Sequence, residues 1–549
     1  MKASYDYVIV GAGSAGCVIA NRLTEDPNVS VLLLEAGGKD NQFFFRLGLG
    51  FHSWRYPQTN WSYESEPEPH LNGRRILLPR GKVLGGSSTI NGMLYSRGHP
   101  GDYDLWRQMG CEGWSYADLL PYFKRAETNW RGETAYHGGS GPLQVSRIDT
   151  SRLLHEPVME AAEARGYPIV DDHHGEVHEG FGPGDVTTDS RGRRSSASRA
   201  YLDPIRSRPN LTIVTEAYAT RILIEDKEAR GLELTVAGKP ATVRADKEVI
   251  LAGGVYNSPQ LLMLSGIGPA AHLLDMGIEP IVDLPGVGRN LSEHAGFWLE
   301  YTTKKKVSLL NELRFDRLML SLARWAVFGT GVLATQSNSA HAEIRSRPDL
   351  TQPDLQVYFN PVRADAKPWF PIVAPEQEHR VSAVVCLLQP ESRGWMELRS
   401  RNPAEKPRIT LNLLESKNDL DTLIRSVKIM RDLYATAPLS DIVDRELVPG
   451  PQVQSDEEIA EFLRNILITT HHAVGTCTMG IGSNAVVDPE LRVHGIARLR
   501  VCDASIMPTV PGGNTNAPSI MVGEKAADLI RGQRLPPSDA PAGIQAVSS

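Results

Sequence analysis

Residues 5–10 (YDYVIV) form an apolar, β-rich run, followed by G-A-G-S-A-G, a helical pattern through Leu23, and a second apolar run at 29–34 (VSVLLL) that closes on Glu35. Strands this apolar, flanking a helix, predict a βαβ unit whose parallel sheet is covered on both faces. Strand signals return at 211–214 and 249–251. Between 353 and 401 three runs alternate, LQVYF, VSAVVCLL and WMEL, and predict a separate antiparallel sheet. The periodicity then predicts helices over 419–437 and 456–468. Residues 471–531 return to glycine-rich turns, a strand (LRVCD) and a helix. From about 51 to 101 the pattern is loop-like and aromatic, with Trp54, Trp61 and Tyr63, and becomes rich in Gly and Ser over 79–98. The Pro-, Ser- and Ala-rich end, 536–549, predicts a disordered tail. No internal repeat is present.

A chain of 549 residues exceeds the size at which one core keeps growing, so two domains, or one with a large insertion, are expected, with room for a large cofactor. Hydrophobic residues at 41% and charged residues at 22% describe an ordinary globular protein. A net charge of −7 with interspersed signs offers no basic footprint for nucleic acid and no cationic cluster for an anionic membrane. The five cysteines, Cys17, Cys111, Cys386, Cys477 and Cys502, have no CxxC spacing and predict neither a disulfide framework nor a metal site. Cys477 and Cys502 read as packing residues. No signal-peptide pattern precedes the first strand, and no apolar run approaches the ~20 residues of a membrane helix. A cytoplasmic location follows as the expectation, with peripheral contact at a membrane left open.

Gly11, Gly13 and Gly16 stand between a strand and a helix, the context a dinucleotide fingerprint requires. The first permits the tight turn, the second admits a pyrophosphate to the backbone, and the third lets helix and strand pack closely. The helix start at Ser14 and Ala15 offers amide donors and partial positive charge. Glu35, followed by Ala36, ends the second strand where a carboxylate can accept from a ribose diol. This pattern alone does not separate FAD from a nicotinamide cofactor. The segment 79–94 (PRGKVLGGSSTINGML) favours FAD: its packed Gly and Ser, with Val83, Ser88, Asn91, Gly92, Met93 and Leu94, suit a backbone that wraps a flat polar ring system.

These blocks, with G-V-Y-N-S-P-Q-L-L-M-L-S-G-I-G (254–268), P-G-V-G-R-N-L-S-E-H (285–294), H-A-V-G-T-C-T-M-G (472–480), V-V-D-P-E-L-R-V-H-G (486–495), R-V-C-D-A-S-I-M-P (500–508) and G-N-T-N-A-P-S-I-M (513–521), resemble the glucose-methanol-choline oxidoreductases, nearest the bacterial alcohol and choline dehydrogenase branch. The resemblance implies an α/β fold: a Rossmann-type FAD-binding domain with a parallel sheet (1–155, 190–297 and 466–535) and a substrate domain with an antiparallel sheet flanked by helices (156–189 and 298–465). It implies FAD contacts at Ala219, Asp503, Ala504 and Thr515. Ile90 stands where some members carry a histidine bonded to the flavin, so the FAD is expected to be non-covalent. Val255 and Glu293 depart from the common pattern and read as tolerated packing or turn variants. Ser339 falls, in an ungapped reading, where choline-specific relatives place a glutamate, which argues against choline.

Oxidising an alcohol requires the hydroxyl proton to leave as hydride leaves carbon, and histidine has a pKa suited to take it. Family register places His472 as the base and Asn514 as the polar residue that orients the substrate oxygen. His471 is assigned to the pocket wall. His294 and His341 read as structural histidines. The expected reaction is oxidation of a primary alcohol to an aldehyde, with a quinone-like dye or oxygen as acceptor. A peroxide-forming oxidase, a cyanohydrin lyase on the same scaffold and a nicotinamide dehydrogenase are the alternatives.

Overall fold

The computed structural model describes residues 1–48, 56–363, 365–371 and 373–540. Trp54 and the tail from 541 onward lie outside the described residues.

The first apolar run forms strand Ser4–Val10, flanked in parallel by Val31–Leu34 and Lys239–Leu251, with Val8 opposite Leu32 and Val249. Leu211–Val214 extends the parallel region beyond Val31–Leu34, and Leu499–Val501 pairs in parallel with Lys239–Leu251. Val8, Ile9 and the four residues Val31 to Leu34 are almost wholly buried. Helix Ser14–Leu23 covers this region and packs against helix Asn516–Arg531.

Only the end of strand Lys239–Leu251 shows as an apolar run in the sequence. Its first half alternates exposed and buried residues and pairs antiparallel with Glu228–Val236, which in turn pairs with Ala217–Glu225. This meander was missed because one face is solvated and no long apolar run marks it.

The second sheet is antiparallel, in the order Val443–Val448, Ala295–Thr303, Arg380–Leu387, Leu355–Asn360, Ala340–Ile344, Gly180–Gly182. Ile468–Thr469 joins it beside Ala295–Gly296. The expected boundary at 297 therefore cuts a continuous strand, since Gly296 is opposite Cys386 and Thr302 is opposite Arg380. The WMEL run forms Trp395–Glu397, but pairs with Arg408–Thr410 in a separate ribbon. The two expected helices are Lys417–Tyr434 and Asp456–Ile466, the second closed by a capping box between Ser455 and Glu458.

The tail is ordered at its start: Leu535 N–H donates to Tyr122 Oη at 3.0 Å and Ser538 N–H to the Ala117 carbonyl at 2.8 Å. All five cysteines are buried and free, in keeping with packing roles. Among the described residues, no helix is long and apolar enough to cross a membrane, and no group of His, Cys, Asp or Glu is arranged to hold a metal ion.

Candidate active site

A cavity of about 480 Å³ runs from the turn after strand Ser4–Val10 to the imidazole of His472. At its first end Gly11 adopts φ +101°, and a Cβ there would meet the Ala252 carbonyl at 2.4 Å. A Cβ on Gly16 would lie 2.0 Å from the Gly11 carbonyl, so helix and turn touch backbone to backbone. Gly13, by contrast, faces the cavity, and a Cβ there would find its nearest neighbour only at 3.9 Å. Ser14 and Ala15 bring the first turn of helix Ser14–Leu23 to the same wall. An open glycine turn with a helix N-terminus has the space and the amide donors to fit a diphosphate.

Glu35 also lines the cavity, but its oxygens are already engaged: Oε2 accepts from Ala12 N–H at 3.1 Å and Oε1 from Gly37 N–H at 2.8 Å. Burial pushes its pKa up to about 7 against the pull of those amides. It braces the turn and keeps lone pairs for a ribose diol. Ala36 and Ala219 complete this end of the wall.

Asn91, Gly92, Met93 and Leu94 line the middle. Asn91 Oδ1 accepts from Met93 N–H at 3.0 Å and from Arg194 Nη1 at 2.6 Å, which fixes the segment's backbone, with Met93 at φ +61°. Asp503 and Ala504 also reach the wall. The Asp503 carboxylate itself binds Gly254 N–H, Ser258 Oγ and Ser505 N–H at 2.9, 2.6 and 2.8 Å. Thr515 and Asn516 open helix Asn516–Arg531 onto the cavity, and Ser14 Oγ donates to Asn516 Oδ1 at 2.9 Å. Two helix N-termini, a carboxylate at the end of the second strand and a long groove fit an adenine dinucleotide that carries a flavin.

Three of the predicted cofactor residues stand behind the wall. Gly16 is the packing contact above. Val83 is buried with Phe45 and Ile90, and Ser88 Oγ donates to the Gly85 carbonyl at 2.5 Å while accepting from Ala197 N–H at 2.9 Å.

His472, His471 and Asn514 meet at the far end. Asn514 Nδ2 lies 3.0 Å from His472 Nε2, and His472 Nδ1 lies 3.0 Å from both His294 Nδ1 and Thr470 Oγ1. His294 Nε2 faces the Leu388 carbonyl at 3.1 Å, which can only accept, so Nε2 carries the proton and Nδ1 of neutral His294 is bare. Thr470 directs its hydroxyl proton at the His294 carbonyl, 3.4 Å away, and also offers an oxygen lone pair. His294 therefore requires a proton on His472 Nδ1, and Thr470, with its own proton toward the His294 carbonyl, can accept it as well. That leaves the Nε2 lone pair toward Asn514 and the cavity. Burial, with His294, His471 and the positive charge of Arg80 beside it, holds the His472 pKa well below the usual imidazole range.

Glu293 accepts from the backbone N–H of His472 at 2.6 Å and of His294 at 3.0 Å, with Arg80 3.6 Å away. It is a brace between the two histidines, more than the tolerated packing or turn variant expected. His471 turns its side chain into the cavity from a left-handed backbone, φ +68°, and is held by Thr469 Oγ1 at 3.1 Å. Ser339 is fully buried and absent from the cavity wall, which Gln336, Ser337 and Asn338 occupy instead. Its position therefore carries no argument about choline.

The family described as GMC oxidoreductase matches residues 5–296 and 390–523. An oxygen-dependent choline dehydrogenase of Sinorhizobium fredii is 44% identical over 535 residues, 96% of each chain. The chain is a GMC oxidoreductase. GMC oxidoreductases bind FAD, and this enzyme is an FAD-dependent oxidoreductase acting on CH–OH groups. Pyridoxine 4-oxidase from Mesorbium loti superposes with a TM-score of 0.86 at 30% identity, covering 97% of this chain and 100% of that one. A formate oxidase variant from Aspergillus oryzae, studied for its FAD modification, superposes at 0.89 and 29% identity, covering 96% and 98%.

Sequence reasoning missed His294, Glu293, Thr470, Tyr358 and Arg80. His294 and Glu293 were in view within a family block, but their contacts to His472 span 178 and 179 residues and have no signature in spacing.

Proposed function

We propose that this GMC oxidoreductase holds FAD non-covalently and oxidises a primary alcohol to an aldehyde with His472 as general base. The observation that carries the reading is the Nε2 lone pair of His472, fixed by its Nδ1 partners and set 3.0 Å from Asn514 Nδ2. A substrate hydroxyl in this corner gives its proton to His472 Nε2 and accepts from the Asn514 amide as negative charge develops on oxygen. Bound in the groove, FAD supplies the acceptor for the hydride that leaves the carbinol carbon. Loss of that hydride and of the hydroxyl proton leaves the carbonyl product. His471 forms the wall of the substrate pocket. We assign the cofactor to the parallel-sheet region and the substrate cap to the antiparallel sheet.

The substrate proposed is an uncharged alcohol. Besides His471, His472 and Asn514, the described cavity wall includes Gln336, Ser337, Asn338, Tyr358, Asn360 and Val384, and its only carboxylates are Glu35, bonded to the Ala12 and Gly37 amides, and Asp503, bonded to Gly254, Ser258 and Ser505, which leaves none free to face a quaternary ammonium. A primary alcohol series and choline, assayed in parallel for dye reduction and peroxide release, test this. Turnover of choline above all uncharged alcohols contradicts it.

The acceptor proposed is quinone-like, reached at a membrane surface. Helix Phe315–Phe328 exposes Phe315, Leu320, Val327 and Phe328 by 56, 71, 73 and 72%, with Arg317 and Arg324 exposed on the same helix. That is an interfacial amphipathic face. Oxygen is the second reading, favoured by the names of the relatives. Peroxide release under air as fast as dye reduction decides for oxygen.

A further inference from the structure

Asn514 is the near end of a buried hydrogen-bond chain that the reaction does not obviously need. Its Oδ1 lies 3.0 Å from Tyr358 Oη; Tyr358 also contacts the Gln356 side-chain amide; and Gln356 lies 3.1 Å from Glu343 Oε1. Glu343 is opposite Gln356, and His341 is opposite Tyr358, across adjacent strands Ala340–Ile344 and Leu355–Asn360, so all four side chains share one face of the sheet. Gln356 is fully buried and Glu343 almost so.

The polarity of this chain is fixed from its other end. The Leu388 carbonyl demands N–H at His294 Nε2, so His294 Nδ1 must accept from His472 Nδ1–H. His472 Nε2 is then bare and must accept from Asn514 Nδ2–H. Asn514 therefore presents Oδ1 to Tyr358 and takes its single hydroxyl proton. With that proton committed, the contact from Tyr358 to Gln356 holds only if Gln356 donates. Its amide nitrogen faces Tyr358, which a half-turn of the amide allows, and its oxygen faces Glu343. Two oxygens now meet at 3.1 Å, and one must carry a proton.

We propose that Glu343, as the neutral carboxylic acid, is a positioning residue that completes this chain, keeping the Tyr358 proton on Asn514 Oδ1 and so holding the Asn514 N–H toward the reacting oxygen. This rests on the assignment of His472 as base. The surroundings agree. On its own strand the nearest group is His341, Nε2 3.5 Å from Glu343 Oε1, and burial with His173 and His174 beside it keeps that imidazole neutral. From helix Pro100–Gln108 the Asp102 carboxylate adds negative charge, and strand Leu355–Asn360 contributes only Gln356 and Tyr358. Strand Gly180–Gly182 pairs Gly180 with Glu343 and adds no charge. Burial first, then Asp102, push the Glu343 pKa up to about 8. On ionisation, the carboxylate takes the Gln356 N–H, the Gln356 oxygen takes the Tyr358 proton, and Asn514 Oδ1 loses its donor.

The test is the pH dependence of anaerobic flavin reduction by alcohol, with FAD content and melting temperature confirming folded protein. Wild type should show an acid limb from His472 and an alkaline limb near pH 8, with a loss of about tenfold or more, within the worth of one donor to a developing oxyanion. Glu343→Gln donates an amide N–H in place of the acid proton. It should keep the neutral-pH rate within about threefold and lose the alkaline limb alone. Tyr358→Phe cuts the chain and should lose the alkaline limb with a lower rate throughout, which carries the test if Glu343→Gln does not fold. The infrared difference spectrum of wild type minus Glu343→Gln at pH 6 should show one lost carboxylic-acid C=O component, beside those of Glu35 and Glu293 that both proteins share. An alkaline limb that persists in Glu343→Gln, or no alkaline limb in wild type up to high pH, overturns the proposal. Loss of the acid limb assignment alone would instead count against His472 as base.

Discussion

The Nδ1 atoms of His294 and His472 lie 3.0 Å apart, and because the Leu388 carbonyl occupies the far nitrogen of His294, only His472 can supply the proton between them. The tautomer of His472 is thus set by a residue on strand Ala295–Thr303's threshold, outside its own segment. Replacing His294 by Ala releases that constraint. We expect a loss of about tenfold in flavin reduction, equal to about 1.4 kcal/mol of tautomer preference, with the substrate KM little changed. A variant as fast as wild type contradicts the role.

Ile90 lies on the cavity wall and offers no nucleophilic atom to the flavin. Acid or heat precipitation should leave FAD in the supernatant. Flavin that stays with the precipitated chain contradicts non-covalent binding.

Glu35→Ala removes both the ribose acceptor and the brace on Ala12 and Gly37. FAD affinity should weaken by roughly 1.5 to 3 kcal/mol, the worth of a charge-assisted contact. An unchanged FAD dissociation constant, measured by titrating apoprotein, contradicts that placement.

Stability should peak near pH 6.5. Burial raises Glu35 and Glu293 to about 7 and Glu343 to about 8, so the stability these acids contribute is present below their unfolded values and is lost as pH rises through 7 to 8. Burial lowers His173 to about 4 and His178 and His294 to about 3, and also depresses His174 and His341. Their contribution is present above the unfolded imidazole value and is lost as pH falls below it. Melting temperatures at saturating FAD should fall on both sides of the maximum. A melting temperature that rises steadily from pH 5 to pH 9 contradicts this.

The turn at the first end of the cavity was legible in the sequence because its constraints are local. Gly11, Gly13 and Gly16 act within one turn, and Glu35 ends the very next strand. His472 and Asn514 were legible through family register. Tyr358, Gln356 and Glu343 were not, because they sit on alternating positions of strands that read as ordinary buried β-structure, and only pairing of those strands brings their polar ends together. Ser88 and Val83 lie behind the cavity wall, where they anchor the outer side of the glycine-rich segment, a placement that composition does not show.

The central claim is that His472 takes the hydroxyl proton, and anaerobic stopped-flow reduction by alcohol across pH measures it most directly. Wild type should speed up with rising pH through one ionisation on the acid side of the ordinary imidazole pKa, since burial depresses that of His472. His472→Ala should bind FAD normally, lose that ionisation, and reduce roughly 10² to 10⁴-fold more slowly, the usual worth of a positioned base. Asn514→Ala should fall between wild type and His472→Ala, and His471→Ala should act mainly on substrate affinity. A His472→Ala enzyme that is reduced as fast as wild type, with the acid limb intact, would contradict the mechanism.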